Sequence, residues 1–169
     1  MFGRHVRMSG ILLAGALSIS ACGAHDSGVT RPEPNGANGT TGELGPGCMN
    51  PEVSMAAGST QAHWSGIAGR ASAVGGTLKV VEVPGVQVMS IRLIVGQQEA
   101  TGSPTDLDHG TGVLASEPAR GATGPAPSAS LSVVATRVGS YPVWALVKYK
   151  TCDGGAGISA DPVGVLAVN

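Results

Sequence analysis

The sequence is short of aromatic side chains, with one Phe, two Trp and two Tyr among 169 residues. Any core must therefore be built mainly from Val, Leu, Ile and Ala. Charge is scarce as well: Lys and Arg number 10, Asp and Glu 11, for a formal net charge of -1. That balance argues against a nucleic-acid partner, which needs a basic patch or stripe to neutralise phosphates. No apolar run approaches the roughly 20 residues of a permanent transmembrane helix. No window of about 11 or more residues carries a 3.6-residue apolar stripe capped at both ends, which argues against a helical domain. Catalytic signatures are missing too. There is no Gly-x-Ser-x-Gly elbow and no Ser-x-x-Lys pair. Gly154-Gly155-Ala156-Gly157 lacks the Lys-Ser/Thr of a phosphate loop and reads as a hairpin loop. Ser65-Gly66 after His63-Trp64 reads as strand and turn rather than a nucleophile beside its base. The chain is expected to be neither an enzyme nor a cofactor carrier.

What is present is unevenly distributed. Met1 to Gly10 holds Arg4 and Arg7 and no acid, and Ile11 to Ile19 is a short, almost wholly apolar run. A basic start followed by about 7–15 apolar residues is the pattern of a secretory signal. The run then ends in Ile19-Ser20-Ala21-Cys22: a branched apolar residue, two small residues and a cysteine. This resembles the lipobox of bacterial lipoproteins, with Ile19 in place of the commoner Leu and Ser20 in place of the commoner Ala. The resemblance implies that residues 1–21 are a cleaved signal peptide and that Cys22 is lipidated. The mature chain would then be held at the cell membrane or outer membrane, facing the extracytoplasmic side. Two or three acyl chains, at about 0.8 kcal/mol per buried CH₂, hold a protein stably where one does not. The alternative is an ordinary secreted protein with a cysteine at that place.

Residues 22–47 follow as a tether. From Gly23 to Gly47, seven Gly and three Pro make up ten of 25 residues, and Val29 and Leu44 are the sizeable apolar ones. Such a segment cannot offset its ordering entropy by burial. It reads as a flexible linker with a root-mean-square span of roughly 25–30 Å.

From Cys48 to Asn169 the periodicity is that of strands. Met89, Ile91, Leu93 and Val95 alternate with Ser90 and Arg92. Leu131, Val133 and Ala135 alternate with Ser132, Val134 and Thr136. Tyr141, Val143, Ala145, Val147 and Tyr149 oppose Pro142, Trp144, Leu146, Lys148 and Lys150. Thr77–Val83 and Val163–Val168 are further runs, with weaker candidates around Val53–Met55, His63–Ile67 and Gly112–Ala115. Seven or so short strands with Gly/Pro turns predict an all-β fold, a single antiparallel β-sandwich over residues 48–169. Gly139-Ser140-Tyr141-Pro142-Val143 resembles the Gly-x-Tyr-x-Val lead-in to a late strand of immunoglobulin-like domains. That resemblance implies an immunoglobulin-like topology, with the last three strands between about Leu131 and Val168 and a loop from Cys152 to Asp161.

Once Cys22 is assigned to lipid, Cys48 and Cys152 remain as an even pair in an oxidising compartment, and a disulfide between them is expected. The competing reading, reactive thiols or metal ligands, lacks close Cys-x-x-Cys spacing. The most ligand-like stretch is Thr105-Asp106-Leu107-Asp108-His109-Gly110, where Asp106, Asp108 and His109 could meet a divalent cation in a loop, but without the spacing of an EF-hand. Asp also favours plain turns. Met49, Met55, His63, Met89 and His109 are ligand types that suit copper, though scattered in sequence. Trp144 and Leu146 lie on the outer face of their strand. They form a partner-contact patch there, unless the strand is buried on both sides. The leading expectation is a lipid-anchored, non-catalytic binding or structural module with an envelope protein or cell-wall partner. The alternative is a metal-handling lipoprotein using His63, Asp106, Asp108 and His109.

Overall fold

Residues that alternate apolar and polar side chains present one face to a core and the other outward, and the chain uses that pattern throughout. The computed structural model describes residues 48–56 and 61–169. The expected signal segment 1–21, Cys22 and the tether to residue 47 lie outside the described residues. The elements are β1 (Glu52–Met55), β2 (Ala62–Gly66), β3 (Ala71–Val81), β4 (Gln87–Gly96), α1 (Pro104–Asp108), β5 (Val113–Pro118), β6 (Ser128–Val134), β7 (Gly139–Lys150) and β8 (Ala156–Val168). They form two sheets, one ordered β1-β3-β6 and one ordered β2-β8-β7-β4-β5.

The inner faces of the two sheets share one apolar cluster. It joins Val53 and Met55 of β1, Val74 and Leu78 of β3 and Leu131 and Val133 of β6 to the inward residues of β4, β7 and β8. The β7 stripe behaves as its alternation predicts: Tyr141, Val143, Ala145, Val147 and Tyr149 all enter this cluster. Its other face is covered too, because Trp144 and Leu146 enter a second cluster with Ile94, Leu107 and Ala160.

Four sequence expectations need correction. The fold is not wholly antiparallel, since β2 runs parallel to β8, with Trp64 opposite Leu166. The loop expected from Cys152 to Asp161 is short, because β8 already pairs with β7 from Ala156 onward. The polar stretch after Ser103 is not a plain turn but contains α1. Met89 does not share a face with Ile91. The β4–β7 register shifts between Val88 and Ser90, so Val88 opposes Tyr149 and Ile91 opposes Val147. An extra residue in a bulge inverts the inside–outside parity of what precedes it. Val88 therefore packs on the core, and Met89 is 62% exposed.

The bulge makes a testable contrast. Met89→Ser is expected to change unfolding free energy by under about 0.5 kcal/mol. Ile91→Ala should cost about 2–5 kcal/mol, as buried Ile-to-Ala truncations do. Urea titration of both variants checks the difference; equal losses would mean that Met89 faces the core.

Candidate functional site

The outer face of the five-stranded sheet carries Trp144 and Leu146, and α1 lies over it. Ser103 caps α1, its Oγ accepting the Asp106 N–H at 3.4 Å, and Pro104 occupies the first turn, where its missing N–H costs nothing. Leu107 then points down onto β4, β7 and β8 and is 2% exposed. Gly102 has φ +75, and a Cβ there would stand 2.8 Å from the Trp144 Nε1, so glycine serves both the turn and the close approach of the ring. Trp144 and Leu146 are therefore buried at 7% and 1% exposure. They anchor α1 and its flanking loops and do not form an exposed contact patch.

The same cover fixes the acidic stretch. Asp108 Oδ1 pairs with Lys148 Nζ at 2.7 Å, which ties α1 to the outer face of β7. Asp106 is exposed in the first turn, and exposed His109 closes the helix with its backbone N–H. His63 is exposed on β2, opposite Val165 of β8. Met55 is buried in the core, while Met49 and Met89 are exposed. Among the described residues no three or more His, Cys, Asp or Glu side chains converge as a metal-binding group. Asp106 and Asp108 thus lie on α1, His109 caps it, and His63 stands on another element.

Cys48 and Cys152 are joined by a disulfide, with a Cα–Cα separation of 6.0 Å across 104 positions of sequence. It ties the segment leading into β1 to the turn between β7 and β8. In that turn the Thr151 hydroxyl and the Gly155 N–H both donate to Asp153 Oδ1. These bonds, the Thr151 one first, hold the Asp153 carboxyl below its ordinary range. A groove of about 520 Å³ runs between the β3–β4 and β5–β6 loops, lined by Pro51, Val80, Val83, Pro84, Val86 and Pro125 among others.

A polar seam inside the core was not foreseen. The inward positions of the first half of β8 are Gly157, Ser159 and Asp161, opposite Tyr149, Val147 and Ala145 of β7. Asp161 is 7% exposed and accepts the Val53 N–H at 2.9 Å, so it links β8 to β1 of the other sheet. The Tyr149 hydroxyl donates to Asn50 Oδ1 at 2.6 Å. Ser159 Oγ is buried without a hydrogen-bond partner among the described residues. An added Cβ on Gly157 would overlap the Tyr149 ring, so glycine makes room for that side chain. Burial raises the Asp161 carboxyl to about 6, with Glu52 adding to the rise and the Val53 bond opposing it. Tyr149 is raised as well, by burial and then by Asp161. Asp161 escaped the sequence reading because it was placed in a loop. The signal that would have found it is its two-residue spacing from Gly157 and Ser159 on an inward face.

No family model matches the chain, and the comparisons with curated proteins and with solved structures found no match.

Two predictions follow from this geometry. Because the folded carboxyl of Asp161 binds its proton more tightly than an unfolded one, its contribution to stability is full below about pH 4 and is lost as pH rises through 6. The loss amounts to about 2–3 kcal/mol. Asp161→Asn keeps an acceptor for Val53 and removes the ionisation. Its denaturation free energy should lack this decline between pH 4 and 7; a decline equal to that of the parent would place the titration elsewhere. Trp144→Ala should cost about 3–5 kcal/mol. It should also free the amides of α1 to hydrogen exchange, while those of β3 and β6 stay protected.

Proposed function

We propose that this chain is a lipid-anchored, extracytoplasmic module of the bacterial envelope, with a binding or structural role and no catalysis. The observation that carries the proposal is the division of labour among its three cysteines. Cys48 and Cys152 are spent on one disulfide, a bond that persists in oxidising compartments. Cys22 is the odd one. It stands after a basic start, an apolar run and the lipobox-like Ile19-Ser20-Ala21. In this reading residues 1–21 are removed, Cys22 carries the acyl chains, and residues 23–47 tether the β domain to the membrane surface. The partner of the module is an envelope protein or a cell-wall polymer.

The domain in this proposal has an immunoglobulin-like topology. Strands β1, β3 and β6 correspond to A, B and E of that fold, and β4, β7 and β8 to C, F and G, with β5 where variable-type domains add C′. The Tyr141 hydroxyl donates to the Arg137 carbonyl at 2.7 Å. This supports the correspondence, because a tyrosine near the start of strand F in that fold bonds back to the backbone just upstream. The chain departs from the antibody pattern in its disulfide, which joins the A-strand side to the F–G turn and does not bridge B to F.

Intact-mass measurement on protein extracted from its own membrane tests the proposal. The expected mass is that of a chain beginning at Cys22 with two or three acyl chains, two hydrogens short for the disulfide. Cys22→Ser should move the protein from the membrane fraction to the soluble one. An unacylated chain, or a Cys22→Ser protein still in the membrane fraction, would overturn the anchor.

A further inference from the structure

Every open sheet exposes backbone donors and acceptors along its two margins, and proteins usually blunt those margins with charge, proline, bulges or brevity. Here the marginal strands are β1, β6, β2 and β5. Strand β1 has four residues and carries Glu52, β2 has five residues, and β5 ends in Glu117-Pro118. By contrast β6 runs through seven residues, Ser-Ala-Ser-Leu-Ser-Val-Val, with no charge and no proline. Its register against β3 is continuous from Thr77↔Ser128 to Ala71↔Val134.

The hydrogen bonds fix which groups of β6 face outward. The Thr77 carbonyl accepts the Ala56 N–H at 2.9 Å, and the Gly75 carbonyl accepts the Trp64 Nε1–H at 3.2 Å. Both residues therefore turn their polar groups away from β6. Their partners Ser128 and Ser130 sit in non-hydrogen-bonded pairs of the antiparallel ladder. By the two-residue repeat, Ser128, Ser130, Ser132 and Val134 aim N–H and C=O at the open margin. Ser128 uses its pair there: it exchanges bonds of 2.8 and 3.0 Å with Arg120. The margin thus already accepts a strand at one position. Ser130, Ser132 and Val134 have no such partner among the described residues.

We propose that β6 is a docking edge for a second copy of this chain, with the two β6 strands pairing antiparallel about a two-fold axis at Ser132. The occupant follows from self-complementarity. An isologous contact sets the same patch against itself. In this register Ser132 meets Ser132 of the second copy, and Ser130 meets its Val134. No like charges are opposed, and Val134, half-exposed in the single chain, is covered. The Arg120–Ser128 bridge occupies the next outward position and ends the pairing at Ser130 on each copy. The three-stranded sheets then join into one continuous sheet of β1-β3-β6 from each chain.

Native mass spectrometry of the full chain in mild detergent tests this. The parent should show a dimer at micromolar concentration. Ser132→Lys and Ser132→Glu should each lose the dimer, because the axis sets each new charge against its own copy. Mixing the two should restore a heterodimer. Ser132 is exposed, so both variants should still fold and unfold cooperatively, with a thermal midpoint that no longer depends on protein concentration as the parent's does. Hydrogen exchange should show the amides of Ser130, Ser132 and Val134 protected in the parent and open in Ser132→Lys. A monomeric parent, a dimer that survives Ser132→Lys, or a mixture that fails to pair would each overturn the inference.

Discussion

The structure depends on β7 being buried on both faces. A strand at the margin of a core needs one apolar stripe, but β7 carries two, offset by one residue. Tyr141, Val143, Ala145, Val147 and Tyr149 supply the inner stripe, while Trp144 and Leu146 supply the middle of the outer one. Because β7 hydrogen-bonds to β4 on one side and β8 on the other, its register sets theirs. The outer stripe in turn demands a cover. The connection from β4 to β5 supplies it, laying α1 and the Gly102 turn over Trp144. The cover has few apolar residues of its own, so the large ring area of Trp144 is what repays its ordering. A chain with so few aromatic residues thus spends one Trp on holding its only described helix.

This arrangement explains how much of the fold was legible beforehand. The alternation in β6 and β7 is unbroken, and there the period-two reading gave the strand and its inward face together. Alternation fails where a bulge inserts one residue. At Met89 the parity of β4 inverts between Val88 and Ser90, and no local property of Met-Ser-Ile marks the place. At Val163 the β7–β8 register shifts again, so Val163 and Leu166 both reach the core although they are three apart. The same shift hid the first half of β8. Gly157, Ser159 and Asp161 are small or polar and precede Pro162, so they read as loop. Yet they face inward as a strand, because Tyr149 and the main chain of β1 lie against them. The disulfide was legible for a different reason: an even pair remained after one cysteine had been assigned, and counting does not depend on register.

The candidate site divides along the same line. Asp106, Asp108 and His109 are neighbours in sequence, but what Asp108 does is set by an element remote in sequence. Lys148 projects from the covered face of β7 and takes up Asp108, so the acid serves to dock α1. Whether Trp144 and Leu146 faced solvent or a second cover was undecidable from their own strand, since the covering residues lie some 40 positions earlier. Side-chain direction is a local property, whereas what stands opposite is not.

The short strand β1 shows how the first described residues of the domain are held. Four residues of ladder with β3 are a weak attachment for an element that takes whatever pull reaches the domain from the chain before Cys48. Three further links secure it: the disulfide from Cys48 to Cys152, the Asn50–Tyr149 hydrogen bond, and the Val53–Asp161 bond. All three run from β1 or its lead-in to β7, β8 or the turn between them, so they cross from one sheet to the other. The two polar links, one buried and one part-buried, carry a desolvation cost. They make sense where a load must pass from the first residues of a domain into its most deeply buried strand. Under the proposed anchoring through Cys22, that path leads from the chain before Cys48 through the disulfide to Cys152 at the end of β7.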